Sequence, residues 1–197
     1  MMRVLDLFCG TKSWLKIWEQ NGHEVETLDI DPQFDPTYCI DILDWKPSKH
    51  YDVVLSSPPC TYFSWAREGW NGTDNETTPE QKEMAIRIAQ RTFDIIQFIN
   101  PDYYLVENPH WSGGMRKWFK GARRVDYCMY GFKIMKPTDL WTNIPLNFKR
   151  CNHNKKHGGG YSYELPRDPV IRSQIPEQLA QEVYDAIINK QQKTLED

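Results

Sequence analysis

The chain has 197 residues, of which 40% are hydrophobic and 26% charged, so it suits one globular domain with a full core and excludes a disordered chain. Its formal net charge of −3 counts against non-specific affinity for duplex nucleic acid. No apolar run is long enough to span a bilayer, Arg3 leads at once into a strand-like run where a signal peptide would lie, and five scattered cysteines fit reduced thiols, so the expectation is a cytoplasmic protein.

Arg3 to Phe8 predicts a short buried strand, Cys9 to Ser13 a turn, and Trp14 to Gln20 a first helix that ends at Asn21-Gly22. Glu24 to Leu28 predicts a second strand that ends on Asp29-Ile30-Asp31-Pro32. Strand, turn, helix and strand in this order are a βαβ unit. An acidic residue at the end of the second strand is well placed to bond a ribose hydroxyl, as in nucleotide-binding doubly wound sheets. Asp41 offers a further acidic position after Tyr38.

Tyr51 to Ser56 predicts a strand that runs into Ser57-Pro58-Pro59-Cys60. Proline fixes φ and removes a backbone donor, so Pro58-Pro59 stops the strand and stiffens the backbone beneath the thiol. Cys60 reads either as a structural cysteine in a tight turn or as a nucleophile. Ligands of open α/β sheets bind off the carboxyl ends of strands, so Gly10, Asp29, Asp41 and Cys60 should face one crevice. The polar stretch Trp65 to Thr78 predicts a lid over that crevice.

Thr78-Pro79-Glu80-Gln81 has the residues of a capping box and opens a long helix. Its apolar stripe is Ala85, Ile88, Thr92, Ile95, Ile96 and Ile99, and Asn100-Pro101 ends it. Tyr103 to Val106 predicts a strand that delivers Glu107-Asn108-Pro109 to the crevice. A carboxylate behind four apolar residues is either salt-bridged structure or a tuned acid. A helix is expected near Gly114 to Lys120, a strand from Val125 to Tyr130, and an antiparallel partner over Thr138 to Asn143. Asn147 to Asp168 reads as loop, Ile175, Leu179, Val183 and Ile187 mark a final helix with Pro176 in its first turn, and Gln191 to Asp197 reads as frayed.

Two clusters stand outside this frame. Arg116, Lys117, Lys120, Arg123 and Arg124 interleave with Trp118 and Phe119, which suits either phosphate and base contacts or a solvated face. Cys128, Cys151, His153 and His157 are residue types that hold zinc, but no Cys-x-x-Cys pair exists, so the expectation is no metal and a solvated basic loop.

Taken together the chain resembles the DNA (cytosine-5) methyltransferases. Asp6-Leu7-Phe8-Cys9-Gly10 resembles the family's cofactor turn, Asp29-Ile30-Asp31 its acidic strand end, and Asp41-Ile42 the segment near the adenine. Pro59-Cys60-Thr61-Tyr62-Phe63-Ser64 matches the motif of the nucleophile, and Glu107-Asn108 the start of the substrate-binding motif. Ile175-Pro176 and Leu179-Ala180 resemble the entry to its last helix. The small size, with Tyr130-Gly131-Phe132 and Lys136-Pro137-Thr138-Asp139, looks most like compact phage and prophage enzymes, which implies a bacterial or phage-infected host cell.

The resemblance implies an α/β Rossmann-like sheet with helices on both faces, S-adenosylmethionine as donor, and cytosine in DNA as acceptor, flipped out or single-stranded. It implies Cys60 and Glu107 as catalytic residues. Asp6, Phe8, Gly10, Asp29, Ile30, Asp41, Ile42 and Pro59 would bind the cofactor, and Ser64, Asn108, Lys136, Arg123 and Arg124 the substrate. Four departures stand out. Thr11-Lys12-Ser13-Trp14 replaces further glycines after Gly10 and leaves the donor-tail contacts unassigned. Ile134, Lys136 and Thr138 stand where the family has Gln-x-Arg-x-Arg, so Lys136, Arg123 or Arg124 is expected to supply the charge. Arg172-Ser173 replaces a Gly-Asn near the transferred group, which leaves a modified donor open. Only the loop from Asn147 to Asp168 lies where a recognition domain would be, so specificity should be short or loose, or come from a partner. A transferase acting on free nucleotide or RNA, and a catalytically silent binding protein of this fold, are the alternatives.

Overall fold

The computed structural model describes residues 1–63, 77–110, 114–132, 136–151 and 168–196. Ser64, most of the expected lid, Ile134, His153 and His157 lie outside these residues.

The described residues build a seven-stranded sheet. Its strands are β1 (Arg3–Leu7), β2 (Glu24–Asp29), β3 (Tyr38–Cys39), β4 (Val53–Ser56), β5 (Tyr103–Pro109), β6 (Arg123–Asp126) and β7 (Pro137–Thr142). The order across the sheet is β3-β2-β1-β4-β5-β7-β6. β1 pairs in parallel with β2 and β4, β4 with β5, and β2 with β3. β7 runs antiparallel between β5 and β6. The central strands β1 and β4 are nearly continuous apolar runs, as strands covered on both faces must be.

Helices cover both faces. α1 (Lys16–Gln20) and α4 (Glu177–Glu196) lie on one side, where Trp18, Leu179, Val183 and Ile187 join Val4, Val53, Leu55 and Leu105 in a single core. α2 (Pro79–Ile99) covers the other, where Ala85, Ala89, Ile95, Ile96 and Ile99 meet Leu5, Leu7, Val54 and Val106. No helix among the described residues is long and apolar enough to cross a membrane.

Several expected boundaries move. The first helix begins at Lys16, because Lys12 to Leu15 closes as tight turns, with Lys12 N donating to Cys9 O and Leu15 N to Lys12 O. The strand expected to run from Val125 to Tyr130 breaks at Asp126 into a 3-10 turn over Tyr127–Tyr130, stopped by Gly131 in a left-handed conformation. The helix expected near Gly114 shrinks to a 3-10 turn over Met115–Lys117. A short helix α3 (Pro169–Ser173), which the pattern did not announce, precedes α4. The backbone of α4 remains helical to Glu196, past the residues expected to fray.

The capping box of α2 is present: the Thr78 hydroxyl accepts from Gln81 N at 3.3 Å, and the Gln81 side chain accepts from Thr78 N at 3.1 Å. Thr78→Ala should therefore destabilise the protein by about 1 kcal/mol, read as a lower thermal midpoint.

Candidate active site

Four strands of the sheet deliver chemistry at their carboxyl ends. β1 ends on Asp6 and Leu7, and the chain then turns sharply. Phe8 and Gly10 adopt φ of 61° and 44°, and the amides of Phe8 and Cys9 both donate to Leu28 O. A positive φ is readily taken by glycine, which explains Gly10; Phe8 adopts it under the constraint of its neighbours. At the end of β2, Asp29 closes this turn. Its Oδ2 accepts from Gly10 N and its Oδ1 from Asp31 N, both at 3.0 Å.

Asp6 is 1% exposed, and its Oδ1 has no hydrogen-bond partner among the described residues. Burial, reinforced by the Asp29 carboxylate, holds the Asp6 carboxyl well above the usual range. Burial and the same two carboxylates push the Cys9 thiol up to about 12, so Cys9 is an inert neighbour. Ile30 is 65% exposed just beyond β2, an apolar surface facing solvent. Asp41 is half-buried and uses Oδ1 to accept from Leu43 N at 2.9 Å. Ile42 packs into the core beneath α2, and its carbonyl accepts from Arg91.

The turn after β4 is held at several points. Ser57 N donates to Leu7 O at 3.2 Å, and Trp14 donates its indole N–H to the Ser57 hydroxyl at 3.3 Å. Asn108, 1% exposed, donates Nδ2 to the Pro58 carbonyl at 2.9 Å. Phe63 N donates back to Cys60 O at 2.9 Å and closes the turn. Pro59 is exposed at its tip and Cys60 half-buried behind it. Burial first, then Glu107, push the Cys60 thiol up; Lys136 and Arg172 pull it down.

Glu107 precedes Asn108 on β5 and is 6% exposed. The Tyr127 hydroxyl donates to its Oε1 at 3.0 Å. Burial pushes the Glu107 carboxyl up, Lys136 and Tyr127 oppose this, and the net direction is upward. Lys136 is 9% exposed, stands 4.7 Å over the Tyr127 ring, and donates Nζ to Arg172 O at 2.8 Å. The Lys136 charge opposes the rise of both the Cys60 thiol and the Glu107 carboxyl, and Arg172 adds to its effect on Cys60.

Arg123 and Arg124, the other sequence candidates for that charge, stand on the outermost strand of this side. Arg123 donates to the carbonyls of Leu146, Thr142 and Ile144. Arg124 forms a salt bridge with buried Asp126 at 2.8 Å. The sheet thus does not bring these two guanidinium groups to Cys60. Beside Asn108, buried Asp139 binds His110 at 2.7 Å and approaches Arg116. Cys128 and Cys151 are hydrogen-bonded neighbours, and burial and Cys151 push the Cys128 thiol up to about 11. No group of three or more metal-ligating side chains exists among the described residues.

Tyr127 is the residue that sequence reasoning missed. The pattern over Val125 to Tyr130 predicts a strand with Tyr127 inside it, and no spacing links position 127 to position 107. Gly131, which stops the 3-10 turn, was the available signal that the chain reverses there.

The buried Asp6 oxygen without a partner and the left-handed turn at Gly10, where nothing lies within 4 Å of an added Cβ, stand at the carboxyl end of β1, and these features fit a nucleoside-bearing cofactor. The buried Asp6 carboxyl keeps its proton to higher pH in the folded chain than in the unfolded one. Its contribution to stability is therefore full below the ordinary carboxylate range and is lost as pH rises toward the folded value. Asp6→Asn should raise the thermal midpoint of the protein without ligand, by more at pH 8 than at pH 5 in parallel melts.

No family model matches the chain. The chain is 36% identical over 156 residues to a protein of Frog virus 3 (isolate Goorha) named "Probable DNA (cytosine-5)-methyltransferase", covering 73% of this chain and 71% of that one. A solved "putative DNA modification methyltransferase encoded within prophage" from E. coli superposes with a TM-score of 0.52 at 13% identity, over 72% of this chain. The chain spans less than half of that solved chain's length, 46%. The Dnmt2 methyltransferase of S. pombe gives a TM-score of 0.44 at 14% identity, over 76% of this chain and 52% of its own. The prophage structure shares the fold, and the viral relative carries the family: this chain belongs to the DNA (cytosine-5) methyltransferases.

Proposed function

We propose that the protein transfers a methyl group from S-adenosylmethionine to C5 of cytosine in DNA, through a covalent bond between Cys60 and C6 of the base. The observation that carries this reading is the Asn108–Pro58 hydrogen bond. It ties the turn bearing Cys60 to the strand bearing Glu107, so a thiol and a buried carboxyl address the same space. Asp6, Phe8, Gly10, Asp29, Ile30, Asp41, Ile42 and Pro59 would hold S-adenosylmethionine, which would supply an electrophilic methyl group.

The residues divide the work on the base. C5 of cytosine is a weak nucleophile. The Cys60 thiolate adds to C6 and N3 takes up a proton, which turns C5 into an enamine carbon. Glu107 is suited to give that proton, because burial keeps its carboxyl protonated above the ordinary range. Lys136 offsets the charge that forms on the thiolate. After C5 gains the methyl group, the C5 proton leaves to a base in the crevice, the C6–S bond breaks to release the Cys60 thiolate, and N3 returns its proton to Glu107.

Cytosine inside a duplex cannot reach Cys60, so the base is flipped out or already single-stranded. Asn108, anchored to Pro58, holds the shape of the pocket, while Ser64 and the Trp65 to Thr78 segment are the proposed contacts over the base. A specificity-giving partner is part of this reading, because the basic residues Arg123 and Arg124 are engaged within the fold.

The test is transfer of label from S-adenosylmethionine to DNA, RNA or free cytidine nucleotide, with DNA expected as acceptor; label moving to free nucleotide alone would refute the DNA reading. DNA carrying 5-fluorocytosine should trap the protein covalently, and Cys60→Ser should form no adduct; trapping undiminished in that variant would remove Cys60 as the nucleophile. Glu107→Ala should lower kcat by about 10²-fold or more with the thermal midpoint retained.

A further inference from the structure

The bond from the Tyr127 hydroxyl to Glu107 Oε1 lies inside the protein. Tyr127 has no exposed surface and Glu107 is 6% exposed, and the two are 3.0 Å apart. Tyr127 is held from three directions. Its amide donates to Lys136 O at 3.2 Å, its ring lies under the Lys136 ammonium at 4.7 Å, and Phe132 packs edge-on at 6.0 Å between ring centroids. Its direction toward Oε1 is therefore imposed by the fold.

A protonated carboxyl has two unlike oxygens. One carries the hydrogen and donates; the other accepts. Cytosine presents an acceptor at N3 and a donor at its N4 amino group, whereas uracil presents a donor at N3 and an acceptor at O4. A carboxyl reads cytosine when the oxygen facing N3 carries the hydrogen and the other accepts. We propose that Tyr127 is a positioning residue that makes this site select cytosine over uracil, by donating to Oε1 and so confining the Glu107 proton to Oε2. The proposal rests on the role assigned to Glu107 above.

The physical reason is competition for one oxygen. The Tyr127 phenol is buried beside Glu107, and burial holds it well above its usual range, so it remains a donor. A donor aimed at Oε1 favours the form in which Oε1 is the carbonyl oxygen, which has a free lone pair for the N4 amino group. With that donor gone, the two protonated forms become closer in energy and the carboxyl suits either base. The titratable groups that bear on Glu107 are Cys60, Tyr127, Lys136 and Asp139. Of these, Lys136 and Tyr127 favour its ionised form, and Asp139 opposes it.

The probes are mixed-sequence single-stranded oligonucleotides carrying 5-fluorocytosine or 5-fluorouracil, incubated with S-adenosylmethionine and the full chain. The readout is the ratio of the two covalent adducts. Tyr127→Phe, shown folded by circular dichroism and its thermal midpoint, should lower the cytosine-to-uracil ratio by about tenfold, the worth of one buried hydrogen bond. It should also move the limb of the pH–rate profile that belongs to Glu107 to higher pH, because the lost donor favoured the ionised carboxyl. A merely structural role would lower activity with both bases alike and leave that limb in place.

Glu107→Gln provides the second measurement should Tyr127→Phe not fold. Tyr127 should orient the new amide with its oxygen toward itself and its NH2 toward N3, so Glu107→Gln should still bind the cytosine oligonucleotide more tightly than the uracil one, read by fluorescence anisotropy. Loss of the preference in Glu107→Gln, or an unchanged ratio with an unmoved limb in Tyr127→Phe, overturns the proposal. No adduct with either base from the unmodified chain would overturn the underlying reading of Glu107 and Cys60, a different result from adducts without base preference.

Discussion

Asn108 Nδ2 donates to the Pro58 carbonyl across 50 positions of sequence, and the site depends on that contact. Pro58 and Pro59 cannot donate to a neighbouring strand, so the turn beneath Cys60 cannot be held by ladder bonds of its own. The bond replaces them from the adjacent strand, β5. Because Glu107 is the residue before Asn108, the same bond that fixes the thiol's turn also fixes the carboxyl relative to it. The parallel pairing of β4 with β5, Ser56 opposite Val106, brings the two strand ends level. A slip of this register would turn Asn108 away from the turn.

Buried carboxyl groups stand at the strand ends on this side of the sheet. Asp6, Asp29, Glu107 and Asp139 are all buried at or near the ends of strands, and buried Lys136 is the cation that acts on both Glu107 and Cys60. Burial alone would drive the Cys60 thiol and the Glu107 carboxyl toward their neutral forms. Lys136 opposes the rise of both groups, with Arg172 adding to its effect on Cys60, yet both remain above their ordinary ranges. Lys136 is itself held by Arg172 O, so α3 and the electrostatics of the thiol are linked.

Much of the architecture was legible as pattern. Hydrophobic runs ending on Asp6, Asp29, Ser56 and Glu107 marked four strands, and the Thr78 to Gln81 box marked the start of α2. What the pattern misjudged lay where local preference and tertiary packing disagree. Val125 to Tyr130 has the composition of a strand, but its second half folds as a 3-10 turn so that Tyr127 reaches Glu107 and Tyr130 donates no ladder bond; its hydroxyl instead accepts from Lys149 N. Arg123 and Arg124 were read as substrate contacts because clustered basic residues suit phosphate. Pairing places them on the last strand, where Arg123 donates to backbone carbonyls and Arg124 pairs with Asp126.

The sequence by itself determined which chemical groups stand at strand ends, since a buried strand flanked by turn residues presents its last side chain to the crevice whatever its neighbours are. Cys60, Glu107, Asp29 and Asp41 stand out on that basis, and Asp6 through the family resemblance that their order supports. Only the tertiary structure decided which of them interact and in which state. That Lys136 bears electrostatically on the thiol while Arg123 and Arg124 are engaged elsewhere, and that a tyrosine twenty positions from Glu107 donates to one of its oxygens, follow from strand order and from the reversal of β7. A pKa and a proton's position depend on distance and burial, which are properties of the packed chain and leave no periodicity in the sequence.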